Sequence, residues 1–183
     1  MHYSDYLLVS AAFSGSVASA MTLLPEDTGC LEKGAKLCFG SSSGGASQNL
    51  DPGDISYAAS YLRNYGSSTT PPAMLTMAPS TKAQCDEWTL YTIGTTLILG
   101  KHINPRANSS VLFTDIANTI DGGDTATDSQ AAAAILGCGA NGGSMEVVVD
   151  KTNAAYLTSD YTKYKNTPTG IIIKLVTAPP ATT

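Results

Sequence analysis

The chain is short of charge. Asp, Glu, Lys and Arg make up only 14% of its 183 residues, against 43% hydrophobic ones. That ratio excludes a disordered polyelectrolyte and a long solvent-exposed helix. Fifteen acids against ten bases leave a net charge of −5. No basic field is present to attract nucleic acid or anionic lipid, and no nucleic-acid partner is expected. No run reaches the about 18–20 apolar residues of a membrane helix, so no membrane span is expected either. Histidine is almost missing, with His102 alone beyond residue 2. The four cysteines contain no C-x2-C pair, which removes the usual zinc spacing. Neither a metal nor any other cofactor is expected. No internal repeat is visible. What remains is one compact, mildly acidic domain.

The first twenty residues, MHYSDYLLVSAAFSGSVASA, place the apolar run Tyr6–Phe13 ahead of small residues ending Ala18–Ser19–Ala20. That is the h-region and A-x-A site of a secretory signal peptide. Residues 1–20 are therefore expected to direct export, and the protein is expected to be extracellular. Residues 21–177 read as a single domain, and residues 178–183 as a Pro- and Thr-rich flexible tail. Asn108–Ser109–Ser110 is an N-glycosylation sequon in a polar stretch. Export also makes disulfides the natural state of Cys30, Cys38, Cys85 and Cys138. Four cysteines allow three connectivities. Cys30–Cys38 with Cys85–Cys138 is the favoured one, closing a local loop and joining the centre to the second half.

Periodicity predicts an α+β fold. Asp51 can cap a helix with Pro52 at its first position. Ile55, Ala58, Ala59 and Leu62 then fall on one apolar face, and Gly66 is a natural stop. Met74–Ala78 is a candidate strand, and Glu87–Thr92 with Thr95–Leu99 a hairpin turning near Gly94. A second helix is expected over Ser110–Ile120, ended by Asp121–Gly122–Gly123. Thr127 and Gln130 form a capping box for a third, Asp128–Leu136. Met145–Val149 and Gly170–Val176 are the most strand-like segments. Ile171–Ile172–Ile173 lacks polar alternation, as a strand covered on both faces does. The sum is a largely antiparallel sheet of four or five strands with about three helices packed on it, a compact α/β sandwich.

Few constellations carry chemistry. Gly137–Gly142 spells G-x-G-x-x-G but follows a predicted helix and opens a strand, the reverse of the dinucleotide context, so it reads as a tight turn. Asp115, Asp121, Asp124 and Asp128 lack EF-hand spacing and read as solvated loop and helix-start acids. His102, with Glu87 or Asp86 brought near across the hairpin, is the one candidate acid/base pair. Tyr57, Tyr61 and Tyr65 recur every fourth residue beside the apolar face of the first helix. Tyr156, Tyr161 and Tyr164 form a second aromatic stretch. Tyrosine supplies a large rigid area with a polar tip, and these six are the candidate recognition surface.

The segments CDEW at Cys85–Trp88, SSVLFTDIANTIDGG at Ser109–Gly123 and the final GIIIKLV, behind a signal peptide, resemble small secreted cysteine-containing proteins of filamentous fungi. Many of those are effector candidates, and some have α/β-sandwich folds like killer toxins. The resemblance implies an extracellular protein that acts on a host or competitor by binding a protein or glycan target. A non-enzymatic, disulfide-stabilised binding protein is accordingly the leading expectation. The alternatives are a small secreted hydrolase of RNA or glycan using His102 and Glu87, and a structural cell-wall or spore-surface protein.

Overall fold

The computed structural model describes residues 32–42, 44–79 and 87–180. The expected signal peptide, Cys30 and Cys85 lie outside them. The α+β expectation holds, with five-stranded and three-stranded sheets where one sheet was predicted.

The large sheet is antiparallel, in the order β1 (Leu37–Cys38), β6 (Gly143–Glu146), β8 (Ile171–Thr177), β4 (Thr96–His102), β3 (Glu87–Ile93). Helices α1 (Pro52–Ser67) and α2 (Phe113–Asp121) supply its cover. Register puts Ile98, Ile171, Ile173 and Leu175 on one face. There they meet Ile55, Ala58, Ala59 and Leu62 of α1 and Ile116, Ala117 and Ile120 of α2 in one core. Each Ile or Leu fully buried there stabilises the fold by about 1.5–3 kcal/mol. The unbroken Ile171–Ile173 run follows from the central place of β8, where all three side chains are fully buried.

The opposite face of the sheet is held by charge. Lys174 donates to Glu32 at 2.9 Å and to Glu87 at 2.5 Å, and Lys101 pairs with Glu32. Burial alone would lower the Lys174 pKa, but the Glu87 and Glu32 carboxylates outweigh it and raise the pKa above its ordinary value. Burial likewise opposes ionisation of Glu32, and the two lysines reverse that, holding its carboxyl below the usual range.

The small sheet has the order β2 (Met74–Met77), β5 (Asn108–Leu112), β7 (Asn166–Thr167), with β5 antiparallel to β2 and parallel to β7. Here the structure corrects the sequence reading, which gave Ser110–Leu112 to the second helix. Those residues pair with β2, and Thr76 and Ser110 join hydroxyls at 2.8 Å. Asn108, Ser109 and Ser110 compete poorly for helix, so α2 starts only at Phe113. Gly100 lets the two sheets approach: a Cβ there would lie 3.1 Å from Leu75 and 3.3 Å from Met77.

Predicted helix ends fare unevenly. Asp51 caps α1, accepting from the Gly53 N–H at 2.6 Å. Gly66 does not stop the helix. It is buried inside α1, where a Cβ would come within 2.9 Å of the Thr114 nitrogen. Gly122 ends α2 in the left-handed region, φ 92°. The Thr127–Gln130 capping box opens α3 (Asp128–Ala133) as expected. This helix stops short of Leu136 because Ile135–Asn141 tightens into a 3-10 turn.

That turn carries Cys138, bonded to Cys38 of β1 with Cα atoms 5.2 Å apart and 100 residues between them in sequence. Both favoured pairings, Cys30–Cys38 and Cys85–Cys138, are thereby overturned. The G-x-G-x-x-G segment is the turn itself, running from α3 toward β6.

Candidate binding surface

The geometry of α1 sorts its residues. Ile55, Ala58, Ala59 and Leu62 face the core, and the four-residue recurrence of Tyr57, Tyr61 and Tyr65 sets them to one side. They are 57%, 43% and 47% exposed. Two of these rings are pinned by neighbours. Tyr61 stacks on Tyr91 of β3, with centroids 4.0 Å apart and planes within 12°. Tyr65 meets Phe113 edge-on at 4.9 Å.

Between helix and strand lies a groove of about 170 Å³, lined by Tyr61, Leu62, Tyr65, Thr89, Leu90 and Phe113. Its strand side is shaped by a bulge, where the β3–β4 register shifts between Thr89 and Tyr91. Partial desolvation of the Tyr91 phenol, then the Tyr57 and Tyr61 phenols beside it, raises its pKa. Rings held in place this way lose little conformational entropy on binding a partner.

The second tyrosine group divides. Tyr156 and Tyr161 are only 5% and 6% exposed, so neither belongs to a recognition surface. The Tyr156 hydroxyl accepts from the Leu112 N–H at 2.8 Å and donates to Asp115 Oδ2 at 2.7 Å. Tyr161 donates to the Ser110 carbonyl at 2.8 Å, and burial pushes its phenol up to about 12. Both therefore lace the segment that follows β6 onto β5 and α2. Tyr164 is 63% exposed and lines a different pocket, beside Pro71, Pro72 and Met74.

His102 and Glu87 do not form a pair. Glu87 sits opposite Lys101 in the β3–β4 ladder, so it shares the Lys101 face, and the next residue, His102, points to the other. His102 is buried, its Nε2 lying 2.9 Å from Ser109 Oγ, a link between the two sheets. Burial lowers its pKa.

Three of the four clustered acids are likewise spoken for, and the fourth, Asp128, is exposed at the start of α3. Arg63 pairs with Asp121 at 2.7 Å and Asp124 at 2.8 Å, and Asp115 is buried against Tyr156. Among the described residues no group of three or more His, Cys, Asp or Glu can hold a metal ion.

The sequon is also engaged. Asn108 Nδ2, the atom a glycan would occupy, donates to the Tyr164 carbonyl at 3.0 Å and to Asn166 Oδ1 at 2.6 Å. Its two hydrogens hold β5 to the chain around β7, so a glycan on that nitrogen would displace one of these bonds.

The sequence reading missed three features. Phe113 lines the groove and Tyr91 stacks on Tyr61 beside it, yet both read as ordinary helix and strand residues, because their tyrosine partners lie on another element. Gly40–Ser41–Ser42–Ser43–Gly44 spells G-x-S-x-G. A nucleophile elbow joins a strand directly to a helix. Here the motif serine is Ser42, and the next helix, α1, begins only at Pro52, so it sits on no strand-to-helix elbow.

The described residues thus form an α+β domain that carries an aromatic groove beside α1. No family model matches the chain, and comparison with curated proteins and with solved structures likewise finds no match.

Proposed function

We propose that this chain is a secreted, disulfide-stabilised, non-enzymatic protein that binds an extracellular protein or glycan of a host or competitor through the tyrosine row of α1. One observation carries the reading. Tyr57, Tyr61 and Tyr65 stand exposed on one helix, and stacking on Tyr91 and edge contact with Phe113 pre-orient two of them. Large rigid aromatic area at low entropic cost is what binding surfaces use. The separation of His102 from Glu87 across the sheet removes the acid/base pair on which the hydrolase alternative rested.

The test is expression of the full chain in a eukaryotic secretory host. Intact mass of protein from the medium reads export, cleavage after Ala20 and thiol content. Labelled protein is then applied to intact plant, fungal and animal cell surfaces, beside a triple Tyr57→Ser, Tyr61→Ser, Tyr65→Ser variant of matched circular dichroism. The expected result is export and retention of the wild type on at least one surface, with retention lost in the variant. Equal retention of both, or of neither, overturns the reading.

A further inference from the structure

The tyrosine row has two properties beyond exposure: regular spacing and neutrality. Four residues of α-helix rise about 6 Å and turn about 40° beyond a full circle. The three rings therefore form a gently winding line about 12 Å long. The groove beside them is lined by Tyr61, Leu62, Tyr65, Thr89, Leu90 and Phe113, none bearing a charged group at neutral pH, in a chain whose net charge is −5. The nearest cation on the same helix, Arg63, is occupied by Asp121 and Asp124. An anionic ligand would find no free counter-charge here, and the one carboxylate of α1, Asp54, is engaged by the Thr95 N–H at 2.7 Å and the Thr95 hydroxyl at 2.8 Å.

Resting on the extracellular-binding reading, we propose that the row binds a neutral, β-1,4-linked polysaccharide chain, one sugar ring to each tyrosine. A pyranose with equatorial substituents presents C–H groups on both faces and hydroxyls at its rim. The face packs on an aromatic ring, whose π-cloud is negative where the C–H groups are positive. The rim meets the phenol hydroxyls. Linkage through equatorial oxygens keeps the polymer extended, with successive rings about as far apart as successive tyrosines, so a chain that twists along its length follows the winding row. An apolar protein segment fits less well: the groove is shallow at about 170 Å³, and two of the three rings that wall it, Tyr61 and Tyr65, carry polar tips.

The experiment is calorimetric titration of the secreted full-length protein with cellohexaose and with the β-1,4-linked hexamer of N-acetylglucosamine. Maltohexaose (α-linked and curved) and hexagalacturonate (anionic) serve as comparisons. The expected result is binding of at least one β-1,4 hexamer, with both comparison sugars at least tenfold weaker. Tyr61→Ala and the more exposed Tyr57→Ala should each weaken that binding at least tenfold, and Tyr61→Phe, which keeps the ring, less than threefold. No heat with either β-1,4 probe, or equal binding of all four sugars, overturns the proposal. So does a Tyr57→Ala variant of native circular dichroism that binds as the wild type does. Cell-surface retention abolished by protease but untouched by glycosidase would overturn the sugar and leave the extracellular-binding reading standing. Absence of retention and of sugar binding overturns both.

Discussion

Tyr61 and Tyr156 are the same residue put to opposite uses. Tyr61 lies on a helix whose four-residue recurrence leaves it in solvent, with one ring face on Tyr91. Tyr156 is buried, and its hydroxyl stands between the Leu112 N–H and the Asp115 carboxylate. What separates them is what the backbone nearby lacks. At Leu112 a strand becomes a helix and α2 begins without a side-chain cap. The Leu112 N–H therefore needs an acceptor, and a buried donor left unpaired is costly. Among the described residues no backbone group depends on the Tyr61 hydroxyl. A tyrosine is interior where its hydroxyl completes a hydrogen-bond account, and available for recognition where it does not.

The sharpest way to break that contrast is Tyr156→Phe. It strands the Leu112 N–H and removes the donor to Asp115, for an expected loss of about 2–4 kcal/mol in chemical denaturation. Tyr161→Phe orphans only the Ser110 carbonyl and should cost about 1–2 kcal/mol. The Tyr156→Phe deficit should also depend on pH. Burial raises the Asp115 pKa, and the Tyr156 hydrogen bond partly offsets this. A carboxyl with a raised folded pKa favours the fold most below its unfolded value and loses that contribution as pH rises through the folded one. Without the Tyr156 donor the folded pKa rises further. The deficit should be largest at neutral pH and shrink below about pH 4, where Asp115 is protonated in both states. A deficit constant across that range would place its origin in packing rather than in the carboxylate.

How far the sequence could tell the two groups apart follows from the same chemistry. Helix α1 was legible because its cap, its proline and its apolar spacing all lie within its own residues, and that spacing alone put Tyr57, Tyr61 and Tyr65 off the core face. The capping box of α3 and the central place of β8 were legible for the same local reason. Tyr156 and Tyr161 were not, because their partners lie in β5 and α2, 41 to 51 residues away. The strand at Asn108–Leu112 was missed because only pairing with β2 and β7 overrides its run into the helix. Cys38–Cys138 spans 100 residues, a contact that spacing does not encode. Local periodicity exposed the groove's helical wall, and tertiary contact supplied Tyr91 and Phe113.

His102 and Glu87 repeat the contrast in charged groups, with a smaller expected effect. Burial lowers the His102 pKa. A histidine depressed in the fold leaves stability fully present above its unfolded pKa, about 6.5. That stability is lost as pH falls toward the folded value, because the unfolded chain takes up the proton first. Midpoints of urea denaturation should therefore fall as pH drops below about 6.5. In His102→Gln, which cannot titrate, that slope should flatten. An unchanged slope in the variant would assign the acid sensitivity to another group.

The smallest effect tests whether the surface tyrosines act as one patch. Tyr57→Phe removes a hydroxyl from an exposed ring, so stability should move by no more than about 0.5 kcal/mol. Ionisation of Tyr91 should nevertheless change. Its pKa is raised first by desolvation and then by the Tyr57 and Tyr61 phenols. Removing the Tyr57 hydroxyl takes away one of those causes, so the Tyr91 pKa should drop toward its ordinary value. The phenolate absorbance of the two proteins, compared during alkaline titration, reads the shift, with Tyr91→Phe identifying the responsible group. If Tyr57→Phe leaves the Tyr91 step in place, Tyr57 stands apart from the stacked pair. The three phenols would then not act as one electrostatic patch, and the Tyr61–Tyr91 stack would be the coupled unit.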